Sequence, residues 1–558
     1  MKRNSIRICI VSAILFTLTF MVSCQKKLDS AYLNPNSPVD EPIENIFPGL
    51  ISNFIVSYSA AGTNYGILPD GIYIGRYLQY WNNYVLTSLG SNGGSQYDEM
   101  GGTVGSSDAF GSMWAAFYYG QGQNLNYLVS RGAFEKKWDY VGAARAIRAW
   151  GWLELADQYA NGIVVKQAFN TSLSTFNYDS ISLAYDSCRA ACFDALNYLN
   201  MPVSGSQFAA SDAYFYGGDI QKWKKFTYGL LARSYAYISN KSNYSADSVI
   251  KYANLAMTAN ADNAICRFAG AGPHGSATYN YYGPYRGNIG SLLQSAYIAD
   301  LMSGRNTGAF NGVQDPRCWY LLREDSSGTF HGVTPGVSAS TSLASNQRPF
   351  NFWGKGGLST GAPPTDQARY IFRDTSAFPI MTASEMQFLA AEAYFRKGDK
   401  TNALAAYANA ISLNFDMLSS NYGANVPTAH LITPISKAAY LANPLIVPVL
   451  PTGLTLTAIM LQKYIALYGW GIQETWVDMR RFHYTDTDPM TGKQVYANFI
   501  PAGGTLYTAN NGKYVYRARP RYNSEYLYDI PSLTSIGATD ASGNQVGDYH
   551  TIPGWLFE

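Results

Sequence analysis

Trp81 and Asn82 in GRYLQYWNNYV (75–85), and Tyr282, Tyr285 and Arg286 in TYNYYGPYRGN (278–288), place flat aromatic rings beside amide and guanidinium groups. Sugars present apolar CH faces that stack on such rings, and hydroxyls that need planar polar partners. Both segments therefore have the residue types of a carbohydrate-binding surface. Gly283, Pro284 and Gly287 break the second segment into an irregular loop, the kind of element on which binding residues concentrate. Trp319 is the candidate third wall. In the first segment Tyr77, Tyr80, Trp81 and Tyr84 also fall at helical spacing, so the same rings can instead form the core face of a helix.

Residues for covalent chemistry are present but poorly arranged. GLSTG (357–361) has the nucleophile-elbow pattern around Ser359, yet Pro363 and Pro364 follow where that pattern needs a helix. His274, His331, His430, His483 and His550 are scattered, without an HExxH motif, and no CxxC pair occurs, so no metal site is expected. No Gly-rich phosphate loop stands in the required order, and no cofactor is expected. Glu385 and Glu392 lie two turns apart on one helix face and are the one candidate acid pair for a glycan-cleaving enzyme. Inside a helical repeat, such carboxylates are first read as solvated or Arg-paired. A net charge of +2 gives no reason to expect nucleic acid.

The elements that must hold these residues are mainly helical. MQFLAAEAYFRKGDKTNALAAYANAISLNFD (386–416) carries Ala391, Tyr394, Gly398, Ala403, Tyr407 and Ala410 at tetratricopeptide-repeat spacing. The small residues let two antiparallel helices approach closely, and Gly398 turns the chain between them. The same steps recur at Ala232, Tyr235, Ala246, Ile250 and Ala253. They recur again at Ala184, Cys188 and Ala191, where ARAIRAWGWLELADQYANG upstream supplies a first helix. LQKYIALYGWGIQETWVDMRRFHY (461–484) reads as one buried helix, with Ile465, Tyr468, Ile472 and Trp476 on one face and an Asp478–Arg481 pair at its end. The expected fold class is mainly α: a helical-repeat scaffold with long loop-rich insertions packed as one body, and strands few, brief and confined to loops.

Length alone would allow several domains. Forty-five tyrosines, 11 tryptophans and 26 phenylalanines against 14% charged residues suit a chain that covers much surface with amphipathic rings. Cys188 and Cys192 sit one turn apart and read as buried apolar residues; with Cys266 and Cys318 they imply no disulfide framework.

The N-terminus has the layout of a secretory signal. Lys2, Arg3 and Arg7 precede an apolar run from Ile8 to Val22, too short for the roughly 20 residues of a membrane span. Met21-Val22-Ser23-Cys24 is the layout of a bacterial lipoprotein box, so Cys24 is expected to be the acylated mature N-terminus, its acyl chains anchoring the protein to a membrane. The expected organisation is a signal peptide at 1–23, an acylated cysteine and proline-containing tether at 24–45, and a body at 46–558 with repeat helices near 141–260 and 380–416.

Several of these stretches together resemble the SusD/RagB-type outer-membrane lipoproteins. They are Cys24 in its lipobox, LNPNSP (33–38), GGDIQKWKKFTYGLLARSYAYIS (217–239), FPIMTASEMQFLAAEAYFRKGD (378–399) and LQKYIALYGWGIQETWVDMRRF, in order across nearly the whole chain. Thr227-Tyr228 stands where the family more often has Ala-Asn, and FHYTDTDP (482–489) replaces a shorter ending. The resemblance implies a tetratricopeptide-like half packed on a loop-rich half. It implies a non-enzymatic role: capture of oligosaccharides, or in some members peptides, as a lid over a SusC-like TonB-dependent transporter at the cell surface. Loops from about the two aromatic segments contribute ligand contacts in resembling proteins. The other classes kept open are a surface hydrolase using Glu385 and Glu392, and a free-standing adhesin.

Overall fold

A computed structural model describes residues 41–58, 64–83, 97–101, 109–203, 207–270, 278–337, 339–501 and 507–558. The expected signal peptide, Cys24 and most of the expected tether lie outside the described residues. Helix α1 (Ile43–Val56) begins three residues before the expected start of the body and buries Phe47 and Phe54. The Phe47 ring meets Tyr140 edge-on at 5.5 Å, and Phe54 packs 4.1 Å from Trp150. Helix α2 (Ile67–Tyr77) follows, and then α3 (Gly122–Phe134).

Three helix pairs form the repeat half. They are α4 (Trp138–Tyr159) with α5 (Ile181–Leu199), α6 (Ile220–Ala236) with α7 (Ala246–Leu255), and α8 (Ala383–Lys397) with α9 (Lys400–Asn421). Each helix packs against the next in this order, so the pairs stack as a continuous layer although 127 residues separate the second pair from the third. The expected small residues sit in these interfaces: Ala184, Ala232, Ala253, Ala391, Ala403 and Ala410 are buried. Gly398 ends α8 with φ +86°, a left-handed conformation that costs glycine little and other residues more. The helix starts are capped by side chains, with Ser180, Asp219, Ser245, Thr382 and Asp399 each accepting from a backbone N–H of the first turn.

The stretch from 461 onward differs from its sequence reading. It is two helices, α10 (Leu456–Ala466) and α11 (Ile472–Arg481), separated by a turn. Gly469 at φ +80° reverses the chain there, so the apolar positions on either side belong to different helices. Helix α10 packs on α8, whereas α11 packs on α2 and α4 and thereby ties the repeat half to the segment leading to Trp81.

The joint between α6, α8, α10 and α11 is ionic and buried. Arg233 donates through Nε and Nη2 to Glu385 at 2.7 and 2.8 Å, and Nη2 also reaches the Ile380 carbonyl at 2.7 Å. Its Nη1 lies 2.6 Å from Glu474. Arg481 clasps Glu392 and Asp478, and Lys463 pairs with Asp478 at 2.8 Å. Burial alone would raise the Glu392 carboxyl, but the Arg481 and Arg396 charges hold it well below the usual carboxylate range. The expected Asp478–Arg481 pair is present, at 2.9 Å.

Strands in the described residues are two to four residues long. Trp81–Asn83 pairs antiparallel with Leu292–Gln294, and Ala264–Cys266 with Phe378–Met381. Cys188, Cys192, Cys266 and Cys318 are all buried free thiols.

Candidate functional site

The two aromatic segments come together through the first of those strand pairs, in which Trp81 faces Gln294 and Asn83 faces Leu292. The structure then divides their residues between foundation and surface. Trp81 is 1% exposed, its indole N–H donating to the Ile72 carbonyl at 2.9 Å. A side chain at Gly75 would put its Cβ 2.5 Å from the Trp81 ring, so the glycine is what lets the indole lie against α2. Tyr282 is fully buried and meets Trp81 edge-on, with ring centroids 5.8 Å apart at 75°. Asn82 is 4% exposed and donates to the Ser295 hydroxyl at 3.3 Å. These three expected binding residues are therefore a buried clamp joining the segments. The core alternative holds for Tyr77, Tyr80 and Trp81, though not as one helix, because α2 ends at Tyr77 and Gln79 turns the chain with φ +60°; Tyr84 lies outside the described residues.

The exposed part of the second loop does have the geometry of a stacking platform. Tyr285 is 59% exposed and stacks on the half-buried Tyr279, centroids 4.0 Å apart at 18°. Arg286 lies beside them, its guanidinium 5.4 Å from the Tyr281 ring. Nearby on the other segment, Arg76 lies 5.5 Å from the Tyr73 ring and donates to Asn83 at 3.2 Å. Asn83 in turn accepts from Ser291 at 3.2 Å. Tyr279, Tyr281 and Tyr73 were not singled out from the sequence. Tyr279 and Tyr281 stand inside the quoted loop, but four tyrosines in an irregular loop carry no period that tells inward rings from outward ones.

The loop is held rather than free. Asn280 donates to the carbonyls of Ile371 and Ser376, both at 2.9 Å, and accepts from the Tyr282 N–H at 3.0 Å. Asp374 accepts from the Tyr285 N–H at 2.8 Å, and Gly283 passes so close that a Cβ would sit 2.3 Å from the Asp374 carboxylate. Trp353 donates to the Tyr282 carbonyl at 2.8 Å. A platform fixed in this way loses little conformational freedom on binding. At the base of the first segment, Asp70 accepts from the N–H groups of Ser112 and Met113 and from Gln158, and burial pushes its carboxyl up to about 6.

Trp319 is half-buried, stacks on His430 at 3.6 Å and 5°, and packs edge-on against Phe330.

The candidate acid pair is not arranged for catalysis. Glu385 and Glu392 are 0% and 3% exposed and clasped by Arg233 and Arg481. Ser359 sits in an exposed loop with no helix after it. Among the described residues no group of three His, Cys, Asp or Glu side chains could hold a metal ion. His274 lies outside the described residues.

A family model described as "Starch-binding associating with outer membrane" matches residues 50–502, most of the chain. The chain belongs to the SusD-like family. Solved SusD-like structures share its fold. A SusD homolog from Bacteroides fragilis, 17% identical, superposes with a TM-score of 0.66 over 92% of this chain and 100% of that one. A SusD/RagB family protein from Bacteroides thetaiotaomicron, 19% identical, gives 0.61 over 93% and 99%. A chitin-binding SusD homolog from Flavobacterium johnsoniae, 18% identical, gives 0.58 over 92% and 99%. No curated protein matches this sequence. Among the described residues no helix is long and apolar enough to cross a membrane, and the SusD-like family is associated with the outer membrane.

Proposed function

We propose that this SusD-like protein is a non-enzymatic outer-membrane lipoprotein, anchored through acylated Cys24 at the cell surface. It captures oligosaccharides and delivers them to a SusC-like TonB-dependent transporter. The observation that carries the ligand class is the exposed Tyr285 ring, stacked on Tyr279, on a loop pinned by Asn280 and Asp374. Such a ring offers a flat face on which the CH face of a sugar can stack. A chitin-binding relative of the same fold makes N-acetylglucosamine oligomers the first ligands to try.

The test is a glycan and peptide array, followed by calorimetry on wild type and on the Tyr279→Ala/Tyr285→Ala double variant. Loss of two stacked rings, each contributing on the order of 1 kcal/mol beyond its area, is expected to weaken glycan binding at least about tenfold. The melting temperature should stay close to wild type. Undiminished glycan affinity, or selection of peptides alone, would overturn the reading.

Anchoring and partner are tested together. Mass spectrometry of the mature N-terminus is expected to show acylated Cys24, and Cys24→Ser is expected to release the protein from the membrane fraction. A TonB-dependent transporter should co-purify with the wild type from detergent-solubilised membranes. Purification alone, as for a free-standing adhesin, would remove the delivery role.

A further inference from the structure

A second groove, remote in sequence from the Tyr285 platform, has unusual walls. One wall is a π-helical segment, Ala116–Gln121, set between a short helix at Ser112–Ala115 and α3. The facing wall includes a second π-helical segment, Tyr522–Tyr526. Such i→i+5 turns waste helical hydrogen-bond geometry and occur mostly where a site needs a side chain re-aimed. Between them lies a cavity of about 190 Å³.

Its surfaces are of two kinds. Trp114 and Tyr118 form an aromatic floor with centroids 4.8 Å apart, and the Tyr118 hydroxyl is fixed by donating to the Val164 carbonyl at 2.7 Å. Phe169 and Tyr119 present rings at the side and mouth, Tyr119 being 55% exposed. Phe169 is held at φ +65°, strained for a bulky residue, with Arg148 4.2 Å from its ring. A Cβ at Gly122 would stand 1.9 Å from that ring, so the helix leaves space for it. Glu525, 8% exposed, is the one charged group among the lining residues. One of its oxygens accepts from the Tyr178 hydroxyl at 2.6 Å, and burial raises its carboxyl above the usual range. Gln123 and Asn170 are exposed at the rim.

Each feature narrows the ligand. Aromatic walls with a buried acceptor and amides at the rim suit a ring with apolar faces and hydroxyl edges. The volume suits one ring rather than a chain. Arg521, 5.2 Å from the Tyr119 ring, and Arg148, 4.2 Å from the Phe169 ring, set positive charge close to the Glu525 acid, so the groove is mixed in charge. We propose that this groove is a second carbohydrate subsite taking a single pyranose ring, its CH face against Tyr119 and Phe169 and one hydroxyl donating to Glu525. A glycan chain held at the Tyr285 platform does not need it, so the two sites can be tested apart.

The experiment is saturation-transfer NMR with the full chain carrying Tyr279→Ala and Tyr285→Ala, so that the first platform is disabled. The probes are glucose and N-acetylglucosamine. Saturable binding of at least one of them is expected. Tyr119→Ala in that background should weaken that sugar about tenfold, and Thr171→Trp, which fills the mouth, should abolish the signal. Both positions are exposed, so the melting temperature should not move. Absence of saturable binding by both sugars, or unchanged affinity in both groove variants, would overturn the proposal.

Discussion

Arg233→Met is expected to destabilise the protein by roughly 3–5 kcal/mol, the usual cost of removing one partner from a buried ion pair. Methionine fills most of the volume, so the loss is electrostatic rather than a cavity. It strands Glu385, which is fully buried, and Glu474, which is 7% exposed, with Glu154 close enough to repel the latter. The sign with pH follows. Burial already raises the Glu474 carboxyl to about 7 against the Arg233 charge, and removing the guanidinium raises it further above its unfolded value. The variant's deficit should then be fully developed at pH 8 and partly relieved at pH 5, where that carboxyl can hold its proton. Denaturant unfolding of wild type and variant at both pH values measures this, and a deficit under 1 kcal/mol or independent of pH would mean that the network contributes little.

Trp81→Ala carries the second large effect, and it separates foundation from platform. The indole is buried, hydrogen-bonded to Ile72 and packed edge-on against Tyr282, Phe352 and Tyr468. Its truncation is expected to cost about 3–5 kcal/mol through lost transfer energy and the cavity left behind. Glycan affinity should fall only as far as the Tyr282 loop loosens. Tyr285→Ala, at a ring 59% exposed, should show the reverse pattern, with near-normal unfolding and impaired binding. Parallel unfolding and calorimetry on the two variants decide the matter. A Trp81→Ala protein of normal stability that no longer binds would restore Trp81 as a direct ligand contact.

The ionic joint also bears on the enzyme alternative. A glycosidase needs two carboxyls facing a cleft that admits substrate. Glu385 and Glu392 face arginines from α6 and α11 instead, and removing either would strand a buried guanidinium. Loss of stability in a Glu392→Gln protein would therefore carry no evidence for catalysis.

Helix type and repeat pairing were legible in the sequence because both are local. Alanines and aromatics at repeat spacing and Gly398 after α8 act within a few residues of one another, and the structure has the three expected pairs. The break between α10 and α11 was missed, because the apolar residues of 461–476 suit one continuous face as well as two short ones, and only packing against α8 on one side and α2 and α4 on the other shows where the chain must turn.

At the site, composition located the two segments, and the strand pairing of Trp81–Asn83 with Leu292–Gln294 joins them. Which rings face out was a different matter. Tyrosine and tryptophan serve equally well as core and as platform, having an apolar body that favours burial and a polar tip that tolerates water. The outcome depended on particular contacts: Gly75, just upstream, leaves room for Trp81, while Trp353 and Asp374, more distant in the chain, hold the backbone at Tyr282 and at Tyr285. The sequence by itself determined a helical-repeat scaffold and two aromatic segments, since both are written in local spacing and composition, and its ordered motifs carry the SusD-like resemblance. Only the tertiary structure decided that Trp81 and Tyr282 are buried and Tyr285 exposed, because burial of a ring is settled by partners tens to hundreds of residues distant.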